Sequence, residues 1–85
     1  MKEGATLCAV KINNGQSEIW LEIDGKVLTQ RRKLATNEVV NVARRHCTPE
    51  VFGAFYADYH VAAGQIATLT VANLDEIAAE LRLKV

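Results

Sequence analysis

The stretch Ser17-Glu18-Ile19-Trp20-Leu21-Glu22-Ile23-Asp24-Gly25-Lys26-Val27-Leu28 decides the fold class. Ile19, Leu21 and Ile23 alternate with Glu18, Trp20, Glu22 and Asp24, the period-two pattern of a strand with one core face and one wet face. Asp24-Gly25 follows at once, and Asp-Gly between two β-like runs marks a two-residue type I′ hairpin. A third strand is therefore expected from Lys26 to about Arg32. The two-residue loop also sets the register: Ile23 pairs with Lys26 and Leu21 faces Leu28 on the core side, while Trp20 faces Thr29 and Glu18 faces Arg31 outside. Ile19 opposite Gln30 is a poorer match, so the third strand is expected to fray or lie at an edge after Leu28, and Arg31-Arg32-Lys33 suits an edge where charge discourages pairing with another sheet.

Upstream, Thr6 to Ile12 alternates as a first strand with Cys8, Val10 and Ile12 on one face, and Asn13-Asn14-Gly15 supplies turn residues. Downstream, Thr36 or Asn37 can cap a helix that has Glu38 near its positive end. That helix turns Val39, Val40, Ala43 and Cys47 inward and Asn41, Arg44 and Arg45 outward. Thr48-Pro49-Glu50 starts a second helix as N-cap, first helical residue and dipole partner. Its stripe is Phe52, Phe55, Tyr56, Tyr59 and Ala63, and it stops at Gly64. Gly53 lies inside it, where a glycine implies close approach of another backbone. Gln65 to Ala72 is rich in Thr, Ile, Leu and Val and reads as a strand, with Leu69 and Val71 on one face. Asn73 caps a last helix carrying Leu74, Ile77, Ala78 and Leu81.

The order βββααβα describes a single α+β domain over residues 1–85. It is an antiparallel meander of three strands plus a fourth strand, with the helices packed on one sheet face. Composition agrees, since 85 residues exclude two independent cores, and 49% hydrophobic residues with one proline exclude a disordered chain. No apolar run approaches the roughly 18 residues of a membrane span, and no secretory segment fits Met1 to Gly4. Cys8 and Cys47 read as small apolar residues of a reducing compartment, so a cytoplasmic location and no membrane contact are expected.

His46, Cys47, Asp58 and His60 are residue types that ligate zinc or pair as nucleophile and base. Their spacing argues against both roles, because adjacent helical residues point about 100° apart and no Cys-x2-Cys or His-x3-His pair exists. Glu76 and Glu80 read as a solvated helix face. The glycines stand singly, so no phosphate loop forms. Neither a catalytic set, a metal site nor a cofactor is expected.

Charge placement is more informative than any motif. Residues 26–49 carry six cations against Glu38 alone, and residues 50–81 carry five acids and no cation, although the whole chain is neutral. The polarised segments either face each other or present a basic surface to a partner. The contact surface expected is Trp20, Thr29, Arg31, Arg32, Arg44 and Arg45, with Trp20 pointing away from the core either as an interface anchor or under cover of the Met1 to Ala5 tail. The function expected is a small non-enzymatic interaction or regulatory domain, an inhibitor or accessory protein acting as a homodimer on another protein with an acidic surface. The alternative is a nucleic-acid-binding accessory protein using the basic 26–45 segment and Trp20.

Overall fold

The computed structural model describes residues 5–13, 15–61 and 64–84. β1 (Ala5–Asn13) pairs antiparallel with β2 (Gln16–Ile23), setting Leu7 beside Leu21 and Ala9 beside Ile19. Beyond the Asp24-Gly25 turn come β3 (Lys26–Val27) and β4 (Arg32–Ala35), both antiparallel to β2. Two helices follow, α1 (Thr36–Arg45) and α2 (Pro49–Val61). β5 (Ala67–Val71) then returns to the far side of β1, and α3 (Leu74–Glu80) closes the chain. The result is one α+β domain with a five-stranded antiparallel sheet ordered β3-β2-β1-β5, in which β4 extends the β3 edge.

Alternation decides which face is covered. Leu7, Ala9, Ile19, Leu21, Leu69 and Val71 point to one side, where Val39, Val42 and Ala43 of α1, Phe55 and Tyr59 of α2, and Ile77 and Ala78 of α3 bury them in one cluster. All three helices therefore lie over the same sheet face. Burial of this apolar surface is the main stabilising term. A polar chain crosses the cluster: the Ser17 hydroxyl, fully buried, bonds the Tyr59 hydroxyl and, at 2.9 Å, that of Thr36.

The hairpin forms where expected, with Ile23 opposite Lys26, and both Asp24 and Gly25 take positive φ as its turn requires. The single third strand does not form. Leu28 to Arg31 leave the ladder, and pairing resumes two residues out of the expected register, with Ile19 opposite Arg32 and Glu18 opposite Lys33. A two-residue excess preserves the alternation of faces, so Leu34 still enters the core. Local hydrogen bonding accounts for the break. Leu28 N–H donates to the Leu21 carbonyl at 2.7 Å, and the Leu21 N–H donates to the Thr29 hydroxyl at 3.1 Å. Both polar groups of Leu21 are thereby satisfied without a continuous strand.

Two smaller expectations change. Ala35, which has no side-chain acceptor, stands at the α1 N-cap in place of Thr36 or Asn37; the Thr36 hydroxyl is taken by Ser17 and its N–H by the Gly15 carbonyl at 2.9 Å. Among the described residues, no atom from outside its own helix turn lies within 4 Å of where a Cβ of Gly53 would sit, so the expected close backbone approach is not seen there. Ala63, the last member of the α2 stripe, lies outside the described residues. The α2 start is as expected, with the Val51 N–H donating to the Thr48 hydroxyl at 3.3 Å, and Asn73 caps α3 by accepting from the Glu76 N–H at 3.0 Å. No helix among the described residues is long and apolar enough to cross a membrane.

Candidate functional site

The break after β3 creates a basic concavity. Residues 28–31 form one wall, with Arg31 and Arg32 at the rim. The other wall comes from the end of α3. There the Leu83 N–H bonds the Ala78 carbonyl at 2.8 Å and the Arg82 N–H bonds the Ala79 carbonyl at 3.2 Å, a Schellman closure that puts Arg82 at φ 57°. The turn carries Arg82 and Lys84 to the groove while Leu83 tucks inward. The concavity holds about 430 Å³ and no acidic side chain among the described residues lines it.

Two rim cations are already partnered. Arg31 lies 3.3 Å from Glu18, and its guanidinium sits 4.2 Å from the centre of the Trp20 ring. Arg82 lies 3.1 Å from Glu38. Arg32 and Lys84 are exposed and make no ion pair among the described residues. Such surface pairs are weak and exchange readily with an incoming anion.

The expected contact residues are distributed differently. Of the two expectations for Trp20, cover is the one met: it is only 2% exposed, lying on the outer sheet face beside Cys8 and under Arg31, and its indole N–H donates to Glu22 at 2.8 Å; Met1 to Gly4 of the expected covering tail lie outside the described residues. Thr29 is buried by its bond to Leu21. Arg31 and Arg32 border the groove, whereas Arg44 and Arg45 are carried on α1 and point elsewhere in use. Arg44 lies over the Phe52 ring at 5.1 Å, and Arg45 bonds Glu80 at 2.8 Å. The basic and acidic segments thus meet at this α1–α3 contact. Arg82 and Lys84 were missed because they follow the acidic segment in sequence and reach the groove only through the terminal turn.

The candidate nucleophile and ligand types are engaged separately. The Cys47 thiol donates to the Ala43 carbonyl at 3.2 Å, while His60 stacks on Tyr56 and accepts from the Lys11 ammonium at 3.4 Å. His46 instead meets Glu80 at 2.9 Å. Hydrogen bonds from Arg45 and His46 hold the Glu80 carboxyl below the usual glutamate range. No family model matches the chain, and neither curated proteins nor solved structures yield a match.

Proposed function

We propose that the protein is a non-enzymatic interaction domain that captures an acidic segment of a partner protein in the groove between residues 28–32 and 82–84. The observation that carries this reading is the convergence of Arg31, Arg32, Arg82 and Lys84 on one concavity with no acid among the described residues of its lining. Carboxylates of a peptide can exchange with Glu18 and Glu38 for Arg31 and Arg82, while Arg32 and Lys84 supply attraction that needs no exchange. Burial of Trp20 weighs against single-stranded nucleic acid, whose recognition uses an open aromatic face for stacking. Action as a homodimer belongs to the same proposal, with exposed Ile12, Val27 and Ile66 as apolar side chains available for self-contact.

The test is binding of a fluorescent glutamate-rich peptide and of a single-stranded oligonucleotide at low and moderate salt, with light scattering for oligomeric state. The peptide is expected to bind, and Arg32→Glu with Lys84→Glu is expected to weaken it at least about tenfold. Absence of peptide binding sinks the proposal. Tighter, steeply salt-dependent binding of the oligonucleotide transfers the groove to the nucleic-acid reading.

A further inference from the structure

His46 is the C-cap of α1, and Glu76 and Glu80 stand one turn apart on α3. Chain folding brings them together. The His46 Nε2 lies 2.9 Å from Oε2 of Glu80, and with Glu76 included the ligand atoms all lie within 4.8 Å of one another. The His46 side chain is 8% exposed, so packing limits the orientation of its ring, whereas Glu76 is exposed and free to rotate.

We propose that His46, Glu76 and Glu80 form a binding site for a divalent transition-metal ion, with zinc as the expected occupant. One imidazole nitrogen with two carboxylate oxygens is a donor set that zinc accepts, with water in the fourth position. Magnesium and calcium favour oxygen donors throughout, so the imidazole selects against them. A tetrahedral site with bonds near 2 Å needs donor separations of about 3.3 Å. The His46–Glu80 separation is already close to that, and rotation of Glu76 brings in the third donor.

Arg45 supplies the outer partner such a site requires. It holds Oε1 of Glu80 at 2.8 Å and leaves Oε2 turned towards His46. With two carboxylates against one guanidinium, the immediate surroundings stay net anionic when His46 is neutral. On binding, the single proton of the neutral ring sits on Nδ1, so that the Nε2 lone pair goes to the ion in place of the hydrogen bond with Glu80, and the ion ties the end of α1 to α3.

Cobalt(II) and zinc added to the full chain are the probes. Cobalt is expected to give a visible absorption band that zinc displaces, and zinc is expected to raise the thermal midpoint. Glu76→Gln, at an exposed position tolerant of change, is expected to weaken cobalt binding about tenfold or more, and His46→Gln to abolish the band. Cys47→Ser is expected to leave it intact. No band and no change of midpoint at millimolar metal overturns the proposal. So does a band that survives Glu76→Gln unweakened, or one that vanishes with Cys47→Ser and so belongs to the neighbouring thiolate.

Discussion

The backbone N–H of Leu21 donates to the side-chain hydroxyl of Thr29 at 3.1 Å, so a side chain completes the ladder where the third strand is interrupted. Thr29→Val keeps the shape and removes the acceptor, leaving a buried N–H without a partner. Denaturant unfolding is expected to show a loss of about 1–3 kcal/mol. The break also forms the groove wall, so peptide affinity should fall with stability rather than independently of it. A neutral Thr29→Val substitution would mean that water reaches the Leu21 N–H.

Tyr56 and Tyr59 share the α2 stripe but differ in what their hydroxyls meet. Tyr59 is fully buried and bonds Ser17, which also bonds Thr36, while Tyr56 is 39% exposed. Tyr59→Phe is expected to cost about 1 kcal/mol, the usual net value of a hydrogen bond when the abandoned partner retains another. Tyr56→Phe is expected to be silent within about 0.5 kcal/mol. Thermal unfolding of the two variants side by side checks this, and equal effects would refute the distinction.

Cys8 is 2% exposed on the outer sheet face, and its thiol is pushed up to about 12 from an ordinary 9.0. Burial is the largest cause; the charge and hydrogen bond of Glu22 add to it, and Arg31 opposes it. The unfolded thiol therefore ionises before the folded one. The stability linked to Cys8 is fully present below 9.0 and is lost as pH rises towards about 12. Cys8→Ala is expected to flatten the alkaline decline in unfolding free energy, even though the lost packing lowers the stability measured at neutral pH. Iodoacetamide is expected to modify half-buried Cys47 ahead of Cys8 in the folded protein. A decline in Cys8→Ala as steep as in the parent chain would assign the alkaline loss to other groups.

The legible parts of the fold were those encoded within a few residues of one another. The Asp24-Gly25 turn, the alternation through β2, the Thr48-Pro49-Glu50 start and the Asn73 cap all depend on local backbone and side-chain chemistry. The weak Ile19–Gln30 pair marked where the strand would fray, but the return to the ladder at Arg32 was not legible, because an extended third strand and a looped one satisfy the same alternation. The choice depends on where the Thr29 hydroxyl finds a donor across the hairpin. The face of Trp20 followed from alternation, but whether it is covered did not, because the guanidinium over its ring belongs to Arg31 in the displaced segment. Half of the candidate groove, Arg31 and Arg32, lay in the basic run. Arg82 and Lys84 belonged to a terminal turn whose direction depends on how α3 docks.

In β1 the core takes Leu7 and Ala9 rather than the face of Cys8, Val10 and Ile12. By itself, then, the amino-acid order determined most of the succession of elements, the inward faces of β2, β5 and α3, and the separation of basic from acidic segments. These follow from residue periods, turn conformations and capping bonds that act over a few positions. Tertiary structure alone decided which charges meet. Arg45 reaches Glu80, Arg82 reaches Glu38, and His46 is brought to Glu76 and Glu80, because packing of the three helices on one sheet face sets distances that no spacing along the chain encodes.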